Sequence, residues 1–368
     1  MKYLAILIAA ILSGALAGSV QAEKEDTTVE WYGYFKLDMA HDSAVSSNGN
    51  YILYVAPHGK GDAVSTLNLT ARQSRFGAKI HRGPMRGVLE FDFYGSSPEN
   101  KNALMLRKAY VTAPLGPFSL EAGQTTDLIS PLVPSTINYS AMWGVGNVGY
   151  RRPQVKIYQN MGAYYWAVAL SRNLSGDLDG DGLDDGEASG LPAVQARVAC
   201  NLDIGVDLSV GTSVHYGRCD CPDEDKQYDN WSLNGDMKMV INKEWSLLAE
   251  AYTGVNMNQY GGAIYNAGLV DGLRSSGGWA NVLYRPVELW QFSAGGGLDQ
   301  VRKEDLGTTA LSRSRNAVLF ANGQYQVISG LWAGFEVSRW TTRYLNAGPG
   351  DVSDPSDLRL QWSLRGDF

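Results

Sequence analysis

Leu358-Arg-Leu-Gln-Trp-Ser-Leu-Arg-Gly-Asp-Phe368 alternates without interruption: Leu358, Leu360, Trp362, Leu364 and Phe368 share one face, while Arg359, Gln361, Ser363, Arg365 and Asp367 share the other. Successive side chains of a strand point to opposite sides, so this segment has one apolar and one charged surface. A soluble edge strand blunts an apolar row with charge or proline. Beside hydrocarbon such a row is required. The segment therefore predicts a barrel strand that closes a ring, with lipid outside and polar groups within.

The rest of the chain carries the same pattern. Period-two runs predict sixteen strands near 29–41, 65–80, 86–96, 104–113, 117–126, 149–159, 162–172, 191–201, 204–216, 230–242, 245–256, 276–285, 288–301, 313–327, 330–344 and 357–368. Tight turns (Gly83-Pro84, Pro114–Pro117, Asn160–Gly162, Asn201–Asp203, Asn242–Glu244, Arg285–Val287, Ile328-Ser329) alternate with longer segments near 42–64, 97–103, 127–148, 173–190, 217–229, 257–275, 302–312 and 345–356. Short periplasmic turns, long external loops and an even strand count are the layout of a bacterial outer-membrane barrel, with both termini in the periplasm. A soluble β-sandwich has no reason to keep that alternation. The faces agree: Leu89, Phe91 and Phe93 oppose Glu90 and Asp92, and Ile204, Val206, Leu208 and Val210 oppose Asp207 and Ser209. The fold class is an all-β, 16-stranded antiparallel transmembrane β-barrel with an inward-folded constriction loop, and a barrel of that width encloses an aqueous channel.

Lys2, the apolar run Leu4–Leu12 and the small residues up to Ala22 precede the polar Glu23-Lys-Glu-Asp26. This predicts a signal peptide over residues 1–22, cleaved after Ala22, and one barrel domain over 23–368. The apolar core is too short for a spanning helix. The net charge of −7 gives no basic surface for nucleic acid. Cys219 and Cys221 fall in the loop near 217–229, where a local disulfide, a metal contact and two free thiols all remain open, and Cys200 ends a strand.

Three features bear on function. The connection 127–148 carries Leu132, Val133 and Ile137, more apolar than a loop freely exposed to water. Folding inward against the wall, or packing on a neighbouring subunit, would explain them. Gly144-Val-Gly-Asn-Val-Gly149 matches the dinucleotide fingerprint by letters alone, since no βαβ unit surrounds it.

Second, strand parity aims Arg75, Lys79, Arg152 and Lys156 inward. Arg107 competes with Lys108 for the inner face, and Arg72 faces lipid unless its strand is bulged. A constriction lined by Arg75, Arg107, Arg152, Lys156 and Lys79 favours anions, opposed by Glu90, Asp92, Glu121 and Asp127, so the preference is modest. The same arginines would equally serve to solvate the lumen and hold the loop.

Third, Asp177-Leu-Asp-Gly-Asp-Gly-Leu-Asp-Asp-Gly-Glu187 places Asp177, Asp179, Asp181 and Asp185 at positions 1, 3, 5 and 9 of a calcium loop, with Gly182 at 6. Ala188 stands where the bidentate acid belongs, with Glu187 one residue early. Ca2+ with a substitute ligand and a merely solvated acidic loop are the two readings.

At these residues the sequence resembles the DcaP-like family of Gram-negative outer-membrane porins, through Thr70-Ala-Arg-Gln-Ser-Arg-Phe-Gly77, Arg107-Lys-Ala-Tyr-Val111, Ala122-Gly-Gln-Thr125, Arg152-Pro-Gln154, Gly277-Gly-Trp279, Phe320-Ala-Asn322 and Glu336-Val-Ser-Arg-Trp-Thr-Thr-Arg-Tyr344. The resemblance implies a homotrimer of sixteen-strand channels for dicarboxylates and other small anions, with Arg75, Arg107 and Arg152 in the lumen and no cofactor required. It also implies that Phe368 is the terminal signal read by the barrel-assembly machinery, and that lipid and lipopolysaccharide surround the wall. Family members often carry an amino-terminal coiled coil, whereas only Glu23–Glu30 precede the first strand here. An enzyme is disfavoured, because none of His41, His58, His81 and His215 stands near a serine or aspartate at catalytic spacing. An adhesin using the acidic loops is the remaining alternative to a channel.

Overall fold

The structure is a computed structural model and describes residues 26–96, 102–221, 225–308 and 311–368. The signal peptide expected over 1–22 lies outside the described residues. The chain forms a closed 16-stranded antiparallel barrel. Its strands are β1 (Thr27–Asp42), β2 (Thr66–Thr70 with Arg75–Arg82), β3 (Met85–Asp92), β4 (Met105–Leu115), β5 (Phe118–Thr126), β6 (Arg151–Met161), β7 (Tyr164–Ser171) and β8 (Ala193–Asp203). They continue as β9 (Asp207–Cys221), β10 (Lys226–Val240), β11 (Trp245–Val255), β12 (Arg274–Val287), β13 (Trp290–Val301), β14 (Ser312–Ile328), β15 (Leu331–Leu345) and β16 (Ser356–Asp367). Each pairs with its neighbours in sequence, and β1 pairs with β16.

The outer wall is apolar along its strands. Trp31, Phe35 and Leu37 of β1, Leu67 and Leu69 of β2, and Leu358, Trp362 and Leu364 of β16 stand exposed, as side chains facing lipid must. Toward the short-turn end the outward rings gather: Trp245 stacks on Tyr284 with centroids 4.2 Å apart, Trp290 lies 4.7 Å from Tyr325, and Phe335 lies 5.2 Å from Trp362. Amphipathic rings in such a band suit a membrane interface. The inner wall is polar, with Asp38, Glu90, Asn281, Asn316, Glu336 and Gln361 buried beneath loops.

Local departures from the expected strand and turn layout carry structural meaning. β2 breaks between Ala71 and Ser74, where Ser74 N–H donates to Ala71 O at 3.0 Å. The break turns Arg72 away from lipid, and its Nε donates to Phe93 O at 3.0 Å. The 217–229 loop contracts, because β9 and β10 extend as a hairpin to Cys221↔Lys226. Cys219 and Cys221 are therefore strand residues two apart with both side chains buried, and no disulfide joins the three cysteines. Arg285–Val287 is strand with a register shift, so the turn moves to Glu288-Leu289. Similarly, Asn201–Asp203 belongs to β8 and the turn follows it.

The closing ladder joins β16 to the second half of β1. It runs from Tyr34↔Asp367 to Asp42↔Arg359, while Thr27–Tyr34 pairs with the second half of β2. Strands of a closed barrel tilt and stagger, which displaces the seam along β1. Phe368 finishes the seam: Gly33 N–H donates to its carbonyl at 3.3 Å, and its ring lies 5.4 Å from Phe35 and 5.7 Å from Phe76.

Candidate functional site

Several of the long connections fold into the barrel, 257–275 among them, whose buried Met257 and Tyr260 pack on Ile129 and Val148. The connection 127–148 crosses the lumen, burying Ile129, Ile137, Met142, Val145 and Val148. Leu132 packs beside them, while Val133, between Leu132 and Pro134 at the loop's tip, stays 66% exposed. Backbone must come close to backbone for this loop to seat. A Cβ on Gly146 would stand 2.3 Å from Gly278 O, and one on Gly297 would stand 2.2 Å from Val145 O, so both positions exclude any side chain. This explains the glycines of the 144–149 run and of Gly277-Gly-Trp279 without any nucleotide.

Another inward segment was not legible as such. Ser46–Asn48 and Tyr51–Val55 form a small hairpin in the first long connection, and its Ile52 and Val55 join Met142, Val145, Trp279 and Trp340 in a buried cluster inside the barrel. Arg359, 1% exposed, fastens the hairpin by pairing with Asp42 at 2.9 Å and donating to Asn50 O at 3.1 Å. The continuous apolar run Tyr51-Ile-Leu-Tyr-Val55 was a usable strand signal, but nothing in it told lumen from lipid.

Buried carboxylates of the inner wall hold the crossing loop. Glu250 accepts hydrogen bonds from Leu132 N–H at 2.7 Å, Trp279 Nε1 at 2.9 Å and the Ser130 hydroxyl. Glu336 accepts from Ile137 N–H at 2.6 Å and Asn322 Nδ2 at 3.0 Å. Lys36 Nζ donates to Ile137 O at 3.1 Å. At the loop's start Asp127 meets Arg152 Nε at 2.8 Å and accepts from Gln195 Nε2 at 2.7 Å and Tyr150 N–H at 2.8 Å. Arg152 is 1% exposed, with its guanidinium 3.8 Å from the Tyr260 ring centroid.

Arg152 and Asp127 thus stand behind the loop as its anchor. Arg152→Ala leaves the Asp127 carboxylate buried without its counter-charge, which costs about 3–5 kcal/mol. The folded barrel of that variant is expected to convert to the unfolded band at a distinctly lower temperature in a heat-shift gel, whereas the half-buried Arg75→Ala shifts it little.

The remaining basic residues face the space between loop and wall. A cavity of about 350 Å³ is lined by Arg75, Arg107, Lys108 and Arg151 on one side and by Pro131–Pro134 of the loop on the other. A bulge between Glu90 and Phe91 of β3 and their partners on β4 resolves the rivalry of Arg107 and Lys108: both turn inward. Arg107 donates to Glu90 Oε1 at 2.8 Å and to Asp92, so its charge is met. Arg75 stands 3.7 Å from the same Glu90 and over the Tyr34 ring. Arg75, Lys108 and Arg151 are partly exposed, whereas Glu90 and Asp92 are buried behind them. Cations are therefore nearer the cavity than the acids that balance them.

Lys156 pairs with Glu121 at 2.6 Å and Lys79 with Glu30 at 2.9 Å, both away from this cavity toward the short-turn end. Sequence reasoning missed Arg151, whose strand parity points outward, and a ring of tyrosines above the cavity. Tyr139 stacks on Tyr94 at 3.9 Å and its hydroxyl donates to Asp92 Oδ2 at 3.2 Å. Burial pushes the Tyr139 phenol above its ordinary value and keeps that proton in place.

His215 lies 3.4 Å from Ser232 and 2.9 Å from Asn230, a pairing the sequence spacing did not suggest. All three are buried beside Tyr260, out of reach of a substrate.

A sixteen-strand wall, polar within and apolar without, with a long connection drawn across its interior, defines the porin class of barrels. Within that class the chain has the fold of DcaP: it is similar to the outer-membrane channel DcaP of Acinetobacter baumannii at 18% identity and a TM-score of 0.77, covering 94% of this chain and 99% of that one. It is also similar to an anion-selective porin from Comamonas acidovorans (10% identity, TM-score 0.61, 93% and 100% covered). The trimer form of OmpT from Vibrio cholerae follows at 11% identity and a TM-score of 0.56, with 94% and 100% covered. No protein-family model and no curated protein matches the chain.

Proposed function

We propose that this protein is an outer-membrane diffusion channel for small hydrophilic solutes with a modest preference for anions, dicarboxylates among them. The observation that carries the reading is the set Arg75, Lys108 and Arg151 on a cavity opposite the crossing loop, with the balancing Glu90 and Asp92 buried behind. Positive groups at a narrow section lower the barrier for anions and raise it for cations. The structural neighbours named as an outer-membrane channel and as an anion-selective porin support it.

In this reading the protein works as a homotrimer in the Gram-negative outer membrane, among lipid and lipopolysaccharide. Its long connections face outward, its termini lie in the periplasm, and the barrel-assembly machinery reads the strand ending at Phe368. No catalytic step is assigned to it. The test is purified protein in a planar bilayer under a salt gradient. Stepwise conductance with a reversal potential on the anion side is expected. Absence of steps would overturn the channel, and a cation-side potential the anion preference. A heat-sensitive ladder on a gel checks the trimer.

A further inference from the structure

The acidic connection between β7 and β8 contributes nothing to the lining of the cavity beside the crossing loop. Asp177, Asp179 and Asp181 each bring a carboxylate oxygen within 4.8 Å of the others. Asp177 is already folded around the loop backbone, accepting from Gly180 N–H at 2.7 Å and Gly182 N–H at 3.1 Å. Acids gathered on an exposed loop mean little alone.

The second observation comes from below. Asp185 is 1% exposed, and its Oδ2 accepts from Tyr228 at 2.7 Å and from the Cys221 thiol at 3.1 Å. Its Oδ1 is buried and has no hydrogen-bond partner. The same carboxylate approaches Asp179 and Cys221, with one atom of each within 4.8 Å, so Asp179 is common to both groups. No basic side chain pairs with Asp185 among the described residues. A buried carboxylate beside a second one, with one oxygen unsatisfied, is unfavourable unless a cation enters.

We propose that this connection binds one calcium ion, held by Asp177, Asp179 and Asp181 from the loop, with Asp185 drawn up to it from beneath beside Asp179, the residue common to both groups. The donors are hard oxygens at the first, third, fifth and ninth positions of a calcium loop, and Gly182 at the sixth (φ +91°) makes the turn. Zinc would want nitrogen or sulfur ligands, and the one thiol near the acids already donates to Asp185. Glu187 is left out of the ligand set, because it pairs with Arg172 at 2.5 Å from within the single helical turn Asp185–Ala188. With Ala188 in the twelfth position the site lacks a bidentate acid, which places its affinity in the weak range of roughly 10⁻⁴–10⁻³ M.

The test uses full-length barrel folded in detergent, stripped with chelator and titrated with calcium chloride in a calorimeter. One saturable site is expected. Asp181→Asn, at an exposed position, should weaken it about tenfold, Asp185→Asn should abolish it, and Glu187→Gln should leave it unchanged. Gel migration before and after heating verifies that each variant is folded, and if Asp185→Asn fails to fold, Asp181→Asn decides. Calcium should also slow proteolysis within 173–190. No saturable binding, or binding indifferent to Asp181→Asn, overturns the proposal. So does a site that takes zinc but not calcium and disappears in Cys221→Ser. A failed conductance measurement would leave the proposal intact, since none of its residues lines the cavity.

Discussion

Replacing Arg75 and Lys108 together by glutamate is expected to reverse the ion preference of the pore. Arg75, Arg107, Lys108 and Arg151 surround the cavity, Glu90 lines it and Asp92 pairs with Arg107, which leaves an excess of two positive charges; Asp127, also on the lining, is cancelled by Arg152. The double reversal carries the excess to two negative charges. A unit charge about 8 Å from a permeating ion in water contributes about 0.5 kcal/mol, so a change of four charges moves each ion's barrier by about 2 kcal/mol, or roughly thirtyfold in rate. Under a tenfold gradient of potassium chloride the reversal potential should change sign, within the ~59 mV limit for a univalent ion. The shift should shrink as the salt rises, because exposed charges are screened. Lys79→Glu, near the short-turn end and opposite Glu30, is expected to move the potential much less. An unmoved potential in the double variant would place the ion path elsewhere.

How much of this was legible follows from what each residue touches. Strand existence was readable because every strand separates lipid from water, and a two-residue period records that at each position. The closing segment Leu358–Phe368 showed it best, and its Arg359, Gln361, Ser363 and Arg365 do face inward. Breaks in the period were harder. The bulge that turns both Arg107 and Lys108 inward, and the interruption at Ala71–Ser74, arise from pairing with particular neighbours, and alternation counts only within one strand. The suspicion that Arg72 needs a bulge came from its charge, which cannot sit in hydrocarbon unpaired.

The lumen was least legible. Ile52 and Val55 have the composition of lipid-facing residues but meet Met142, Trp279 and Trp340 from distant parts of the chain. Alternation within a strand cannot tell the carboxylates that hold the crossing loop from ordinary inner-face acids. Only the fold reveals that Glu250 receives Leu132 N–H and Glu336 receives Ile137 N–H. Likewise Arg152, which motif and parity placed in the lumen, is sealed by the loop it anchors.

Those two glutamates support the last prediction: the double variant Glu250→Ala/Glu336→Ala should free the middle of the crossing loop and leave the barrel standing. Removing the acceptors leaves Leu132 N–H, Ile137 N–H and Trp279 Nε1 without partners at 2.6–2.9 Å. A buried donor left unsatisfied costs about 1–3 kcal/mol, so the seated loop loses several kcal/mol relative to one that lifts into water and hydrates them. The backbone ladders of the wall and of the β1–β16 closure do not run through these side chains, and folding should persist, as checked by heat-shifted gel migration. With the loop unseated the narrow section widens, and single-channel conductance is expected to rise roughly twofold with added open-channel noise. The reversal potential should fall toward zero, because permeating ions then pass farther from Arg75 and Lys108. Each single variant should show part of the effect, and a double effect larger than their sum would mean that both anchors hold one cooperative segment. If conductance and noise match the parent while the gel shows a folded barrel, the loop does not set the constriction and the cavity beside it is not the path.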